Sequence, residues 1–207
     1  MIQSFLSHLQ CSVCKEQFSS NALHTICPKC GKVLLARYNL SDAKEVLNKN
    51  NFVGESMWDY FPLLPILKKE NIVTLGEGKT PLLPLKKIGE KFGIENILYK
   101  DESFNPTGSF KARGLSAAVS KAKELGVTTL AIPSAGNAGS ALAAYAAACG
   151  MEANVFIPSD TPDANKIELE MYGANIFLVD GTIADAAKKM NEMKAEKNWF
   201  DISTLKE

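Results

Sequence analysis

From residue 97 onward, short apolar runs alternate with longer stretches in which apolar residues recur every three or four positions, and glycine-bearing links separate the two. The runs at 97–100, 128–133, 153–158, 175–179 and 199–202 predict strands, and the stretches at 109–125, 138–149, 163–172 and 183–197 predict helices. Strands and helices in strict alternation, joined by short links, imply right-handed crossovers. The expected fold is therefore α/β, a parallel sheet covered by helices in three layers. Thr182 and Asp185, three apart before the series Ile183, Ala186, Ala187, Met190 and Met193, form a capping-box-like start to the last helix. Gly126, Gly150 and Gly173 each follow a helix, where a left-handed closing residue costs least without a side chain. The stretch 138–149 is apolar almost all round, so that helix belongs between layers.

The upstream pattern is different. Residues 1–38 form one unit of short β-prone pieces around two cysteine pairs. Residues 39–96 open with a helix, read as capped by Ser41 with Ala43, Val46 and Leu47 on one face. Residues 51–84 follow as an ordered coil rich in aromatic residues, proline and glycine, lying over a core. The third unit is the parallel α/β region at 97–207.

Composition narrows the classes of function. The chain is 46% hydrophobic and 22% charged, an ordinary globular balance. Lysine plus arginine equals aspartate plus glutamate at 23 each, so no global field draws the protein to nucleic acid or to an anionic membrane. His8 and Gln10 interrupt the apolar start, which excludes a secretory signal pattern, and 138–150 is too short and alanine-rich to span a bilayer. These features predict a cytoplasmic protein. In such a chain, cysteines paired at close spacing favour metal over disulfides.

Cys11 and Cys14, then Cys27 and Cys30, are two CxxC pairs able to set four thiolates tetrahedrally around a structural zinc. The alternatives are a redox pair or ligands that have lost their metal. His8 and His24 could substitute as ligands but read as surface residues, and Cys149 reads as a small hydrophobe. Taken alone, such a ribbon also fits a non-catalytic module that grips a partner. The neutral charge and the absence of aromatic-basic clusters argue against nucleic acid as that partner.

Two loops carry the remaining chemistry. In the first, Asn105-Pro106 and Gly108 force a sharp turn, Ser109 can cap, and Lys111 leaves the first turn of a helix. An ammonium is disfavoured at the positive end of a helix dipole, which frees the amine for Schiff-base formation. A lysine standing alone there would read as a surface residue. In the second, Pro133-Ser-Ala-Gly-Asn-Ala-Gly139 joins a strand to the buried helix. Its small residues let backbone amides approach a ligand, and it lies at the carboxyl end of a strand, where open parallel sheets bind ligands. A glycine-bearing turn by itself is often only tight packing.

Together, Asn105-Pro-Thr-Gly-Ser-Phe-Lys111 and Ser134-Ala-Gly-Asn-Ala138 resemble the paired signatures of fold-type-II pyridoxal-phosphate enzymes, the tryptophan synthase β-like fold. With the ribbon, Ser56-Met-Trp-Asp-Tyr60 and Gly76-Glu-Gly-Lys-Thr-Pro-Leu82, the chain most resembles the threonine synthase family over essentially its whole length. The resemblance implies pyridoxal 5'-phosphate held by Lys111, which also moves protons at substrate carbons. It implies a hydrogen bond from Asn137 to the cofactor's ring hydroxyl oxygen. It further implies a substrate-carboxylate turn made by Ser134, Ala135, Asn137 and Ala138. The implied reaction converts O-phosphohomoserine and water to threonine and phosphate, in an enzyme that is a homodimer at full length. Arg113 could face the substrate phosphate but is expected to point elsewhere, and Ala112 stands where many relatives carry aspartate. Gly150, Gly173 and Gly181 are isolated, so no glycine-rich phosphate cradle follows Gly139. The expectation is an amino-terminal part of the enzyme, inactive alone, with the cradle and the pyridine-nitrogen partner in a later domain. A serine or threonine dehydratase or a β-replacement enzyme of the same fold is the alternative within the superfamily.

Overall fold

The computed structural model describes residues 3–203. At the amino terminus β1 (Leu6–Cys11), β2 (Gln17–Ser19) and β3 (Leu34–Tyr38) form an antiparallel sheet in the order β2-β1-β3. The helix α1 (Leu40–Val46) follows. Its cap is Asn39 rather than the expected Ser41: the Asn39 side chain accepts from the Asp42 amide and donates to the Asp42 carboxylate at 2.6 Å, so the helix begins before Ser41 is reached.

The parallel sheet is built from β6 (Thr129–Pro133), β7 (Glu152–Pro158), β8 (Asn175–Val179) and β9 (Phe200–Asp201), in the order β8-β7-β6-β9. Its alternating side chains divide two cores. Leu130, Ile132, Ala153, Val155 and Ile157 face α3 (Lys111–Glu124), α4 (Asn137–Cys149) and Leu169 of α5 (Asp163–Met171). Ala131 and Phe156 face Ala186 and Met190 of α6 (Ile183–Lys197), where Phe156 stacks on Phe177 at 4.5 Å. The capping box of Thr182 and Asp185 at the start of α6 is present. The α4 helix is buried from Ala138 through Ala146, and its small side chains let it lie against α3 and the sheet together. No helix among the described residues is long and apolar enough to cross a membrane.

The strand expected at 97–100 does not join this sheet. As β5 (Leu98–Lys100) it pairs antiparallel with β4 (Leu82–Pro84). All three of its residues are exposed, whereas a strand inside a covered parallel sheet must be apolar on both faces. A helix the pattern did not reveal, α2 (Lys86–Phe92), lies between them. Its signals are weak because Leu85 offers no capping side chain and Gly89 interrupts the series; a Cβ at Gly89 would sit 2.5 Å from the Ile94 carbonyl oxygen.

The coil from 51 to 84 contains 3-10 turns at Met57–Leu63 and Lys69–Asn71, and it is fastened by polar contacts. Glu77 is fully buried, with 0% exposure. Its carboxylate accepts from Trp58 Nε1 at 2.7 Å, Ser116 Oγ at 2.6 Å, Tyr145 OH at 2.5 Å and the Leu75 amide at 3.0 Å. Burial raises the Glu77 pKa, but the bonds from Ser116, Tyr145 and the Leu75 amide outweigh it and leave the group below the ordinary carboxylate range. Gly78 must be glycine: φ is +115° and a Cβ would lie 2.4 Å from the Met57 nitrogen. Farther along, the amides of Leu67 and Lys68 both donate to Glu124 at 2.8 Å, and Val73 N donates to Ser120 Oγ at 2.8 Å.

Replacing Glu77 by Gln turns an NH2 group toward two of the four donors and should destabilise the protein by about 2–4 kcal/mol. Because the folded pKa lies below the ordinary 4.5, the wild-type advantage is complete above that value and disappears as pH falls through the folded one. Urea titrations of both proteins between neutral and acid pH would measure it, and equal stability at neutral pH would refute it.

Candidate active site

The turn that delivers Lys111 is preset by side chains on three segments. Asn105, only 4% exposed, accepts from Gly78 N at 3.1 Å and donates to the Glu102 carbonyl at 3.0 Å and carboxylate at 2.8 Å. The Glu102 carboxylate receives Arg113 Nε at 2.6 Å, an Arg113 terminal nitrogen at 2.8 Å and Thr80 Oγ1 at 2.6 Å. The hydrogen bond from Arg113, with those from Thr80 and Asn105, holds Glu102 down to about 2. Arg113 is thus engaged in a forked ion pair with Glu102. Ala112 is fully buried in the core.

Between Asn105 and Lys111 the backbone takes two successive left-handed residues, Thr107 (φ 59°) and Gly108 (φ 64°). Glycine accepts this readily, whereas a β-branched threonine is strained there. The Thr107 hydroxyl is buried with no hydrogen-bond partner among the described residues. Ser109 Oγ accepts from the Lys111 amide at 3.3 Å, so the serine does serve the helix start. The half-buried Lys111 side chain lies over the Phe110 ring at 4.8 Å, and its amine makes no hydrogen bond or ion pair to a described residue.

The second loop lies beside the first. The Pro106–Gly108 turn packs against α4, which begins at Asn137, and α3, which begins at Lys111, packs along α4. Ser134 ties the loop at both ends: its amide donates to the Phe156 carbonyl at 3.1 Å and its hydroxyl accepts from Gly139 N at 3.0 Å. Gly139 is sterically required, since a Cβ would lie 2.7 Å from the Ser134 carbonyl oxygen. Ala138 is buried, Ser134 and Ala135 half-buried, and the Asn137 side chain exposed. Among the described residues, no protein group accepts from the amides of Ala135, Gly136, Asn137 or Ala138. Unpaired amides at a helix start form a binding place for an anion, and a primary amine on the neighbouring element suits an aldehyde-bearing group with anionic substituents. The residues present therefore fit the reactive part of pyridoxal phosphate.

The cysteine pairs converge as well. Cys11 and Cys30 sulfurs are 3.4 Å apart, Cys14 and Cys27 sulfurs 3.7 Å, and all four lie within 4.8 Å of one another. Burial raises the Cys11 thiol, yet the amides of Val13 and Cys14 and the Cys30 side chain bring it down to about 6. The Glu16 amide lowers Cys14, but burial and the three neighbouring sulfurs carry it up to about 12. Four sulfurs this close cannot all ionise without a cation between them. The histidines stand apart from this group, and Cys149 is a half-buried residue on α4.

Sequence reasoning missed the residues that fasten these loops. Glu77 carried a faint signal as a lone acid between two glycines, whereas Glu102 and Asn165 carried none, because Arg113 and Thr80 in the first case and Ala135 in the second are distant along the chain. Asn165 donates from Nδ2 to the Ala135 carbonyl at 2.7 Å.

The sequence profile of the family described as pyridoxal-phosphate dependent enzyme matches residues 73–207. A threonine synthase from Methanosarcina acetivorans is 34% identical over 199 residues, 96% of this chain and 49% of that protein. One from Methanocaldococcus jannaschii is 32% identical over 199 residues, 95% of this chain and 49% of that protein. The chain thus spans about half the length of the curated relatives it matches. Among solved structures, a serine racemase from Dictyostelium discoideum aligns with a TM-score of 0.54 at 27% identity, over 61% of this chain and 41% of that one. The fold also resembles apo diaminopropionate ammonia lyase from Escherichia coli, with a TM-score of 0.57 at 21% identity over 63% of this chain and 41% of that one. Lys111 and the 134–138 turn both fall inside the matched region, and the chain belongs to the pyridoxal-phosphate dependent enzyme family.

Proposed function

We propose that this chain supplies the lysine-bearing half of a threonine synthase, which converts O-phosphohomoserine and water to threonine and phosphate. The observation that carries the reading is that the Pro106–Gly108 turn leading into Lys111 packs against α4, whose first amides have no acceptor among the described residues. The likeness to threonine synthases over nearly the whole chain supports the choice of reaction. When bound, pyridoxal phosphate provides an electron sink that eases loss of a proton from the carbon bearing the substrate amine. In this reading Lys111 Nζ would hold the cofactor and would carry protons to and from substrate carbons. The turn of Ser134, Ala135, Asn137 and Ala138 would receive the substrate carboxylate, and Asn137 would hydrogen-bond the cofactor's ring hydroxyl oxygen. Arg113 stays with Glu102. A dehydratase of the same fold would use the same lysine and turn, so release of inorganic phosphate from O-phosphohomoserine separates the two activities.

The four cysteines are proposed to hold a structural zinc. Tetrahedral coordination at about 2.3 Å per Zn–S bond spaces the sulfurs about 3.8 Å apart, near the separations of 3.4 and 3.7 Å found here. In this scheme residues 1–38 fold as a ribbon around the metal, 39–96 belong to a larger domain and 97–207 form the lysine-bearing one.

In the full-length protein, Lys111→Ala should abolish the visible absorbance of the lysine-linked cofactor and reduce phosphate release by roughly a thousandfold. Retention of both the band and the turnover would refute the assignment. Purified protein should contain equimolar zinc by elemental analysis, and Cys14→Ser should lose it together with the thermal stability of the ribbon. Metal-free protein with an unchanged melting profile would count against the site.

A further inference from the structure

The peptide joining Ala135 to Gly136 lies at the centre of the proposed carboxylate turn, and its orientation is set from outside that turn. A Cβ at Gly136 would meet nothing within 4 Å, so sterics leave this residue free. What fixes it is Asn165, in the first turn of α5, whose Nδ2 donates to the Ala135 carbonyl at 2.7 Å. A carbonyl can only accept, so the amino end of the asparagine must face it. In a planar trans peptide the C=O and the following N–H point in opposite directions. Holding the Ala135 oxygen toward α5 therefore aims the Gly136 N–H away from α5. One helical turn later, Glu168 accepts from Ser140 Oγ at 2.7 Å, so α5 grips both the loop and the first turn of α4. Leu169, 2% exposed, anchors α5 in the core.

We infer that Asn165 is a positioning residue for carboxylate recognition: it presets the Ala135–Gly136 peptide so that the amides of Gly136 and Asn137 converge on the carboxylate of an amino-acid ligand. The inference rests on the carboxylate-binding reading of the turn given above. It assigns Asn165 to ligand affinity, with no part in proton transfer.

Acetate is the minimal probe, with chloride as the ionic-strength control, and amide NMR is the readout. In the wild-type protein the Gly136 and Asn137 amides should shift saturably with acetate. In Asn165→Asp, which cannot donate, the acetate dissociation constant should rise roughly tenfold, the loss expected for one preorganising hydrogen bond. The amides of α6 should stay in place. Asn165→Ala should behave in the same way. Unchanged acetate affinity in both variants overturns the role of Asn165 and leaves the turn assignment standing. No response at Gly136 and Asn137 in wild type overturns the turn assignment and this inference with it. Disturbance of α6 in both variants would make Asn165 a determinant of the fold and overturn the inference. In the full-length enzyme the same variants should raise KM about tenfold with kcat within about threefold. An equal loss in kcat would contradict the assignment.

Discussion

The buried carboxylate of Glu77 is the contact on which the geometry of the site depends. An ionised carboxylate without solvent is costly unless donors surround it. Here two donors come from the coil itself, Trp58 and the Leu75 amide, while Ser116 comes from α3 and Tyr145 from α4. One charged group thereby adds a polar tie between three pieces of chain that also share an apolar core through Val73, Leu115 and Leu142. Since α3 begins at Lys111 and α4 at Asn137, the same group sets the relation between the two helices that carry the candidate chemistry. Burial and the nearby charge push the Tyr145 hydroxyl well above its ordinary range, so the proton stays on the phenol and the charge on Glu77.

A second layer of polar contacts continues from there. Gly78, next to Glu77, donates to Asn105, and Asn105 holds Glu102, which in turn holds Arg113 and Thr80. This chain of bonds surrounds a turn with two left-handed residues, one of them a threonine whose hydroxyl is buried and unpartnered among the described residues. Strain of that kind persists only where neighbours over-determine the backbone. The amine of Lys111 and the amides of residues 135–138, unpaired among the described residues, are the counterpart of that rigidity: their surroundings are saturated with bonds and they are not.

Much of this could be read from the sequence where the information was local. Periodicity gave the alternating elements, the capping box at Thr182 and Asp185 and the closing glycines at 126, 150 and 173, whose φ values lie between 71° and 75°. The apolar 138–149 stretch implied a buried helix because no face of it suits water. The turn around Asn105 and the loop around Asn137 were visible because proline, asparagine and glycine constrain the backbone directly. What stayed hidden was long-range pairing. Period alone cannot say that 98–100 pairs with 82–84, since an exposed strand and a covered one differ in context. Nor does any local pattern reveal that Asn165 reaches Ala135, or that an acid in a glycine-rich coil is enclosed by residues 116 and 145.

The claim that one carboxylate turns the 51–84 coil into part of the core is open to native-state hydrogen exchange. The amides of Met57, Leu75 and Gly78 bond to the Glu77 carbonyl, the Glu77 carboxylate and Asn105 respectively. They should exchange only through the same global opening that exposes the amides of α3 and α4. Exchange of these three at loop-like rates, while α3 and α4 remain protected, would show that the coil opens independently and that the site is not held by Glu77.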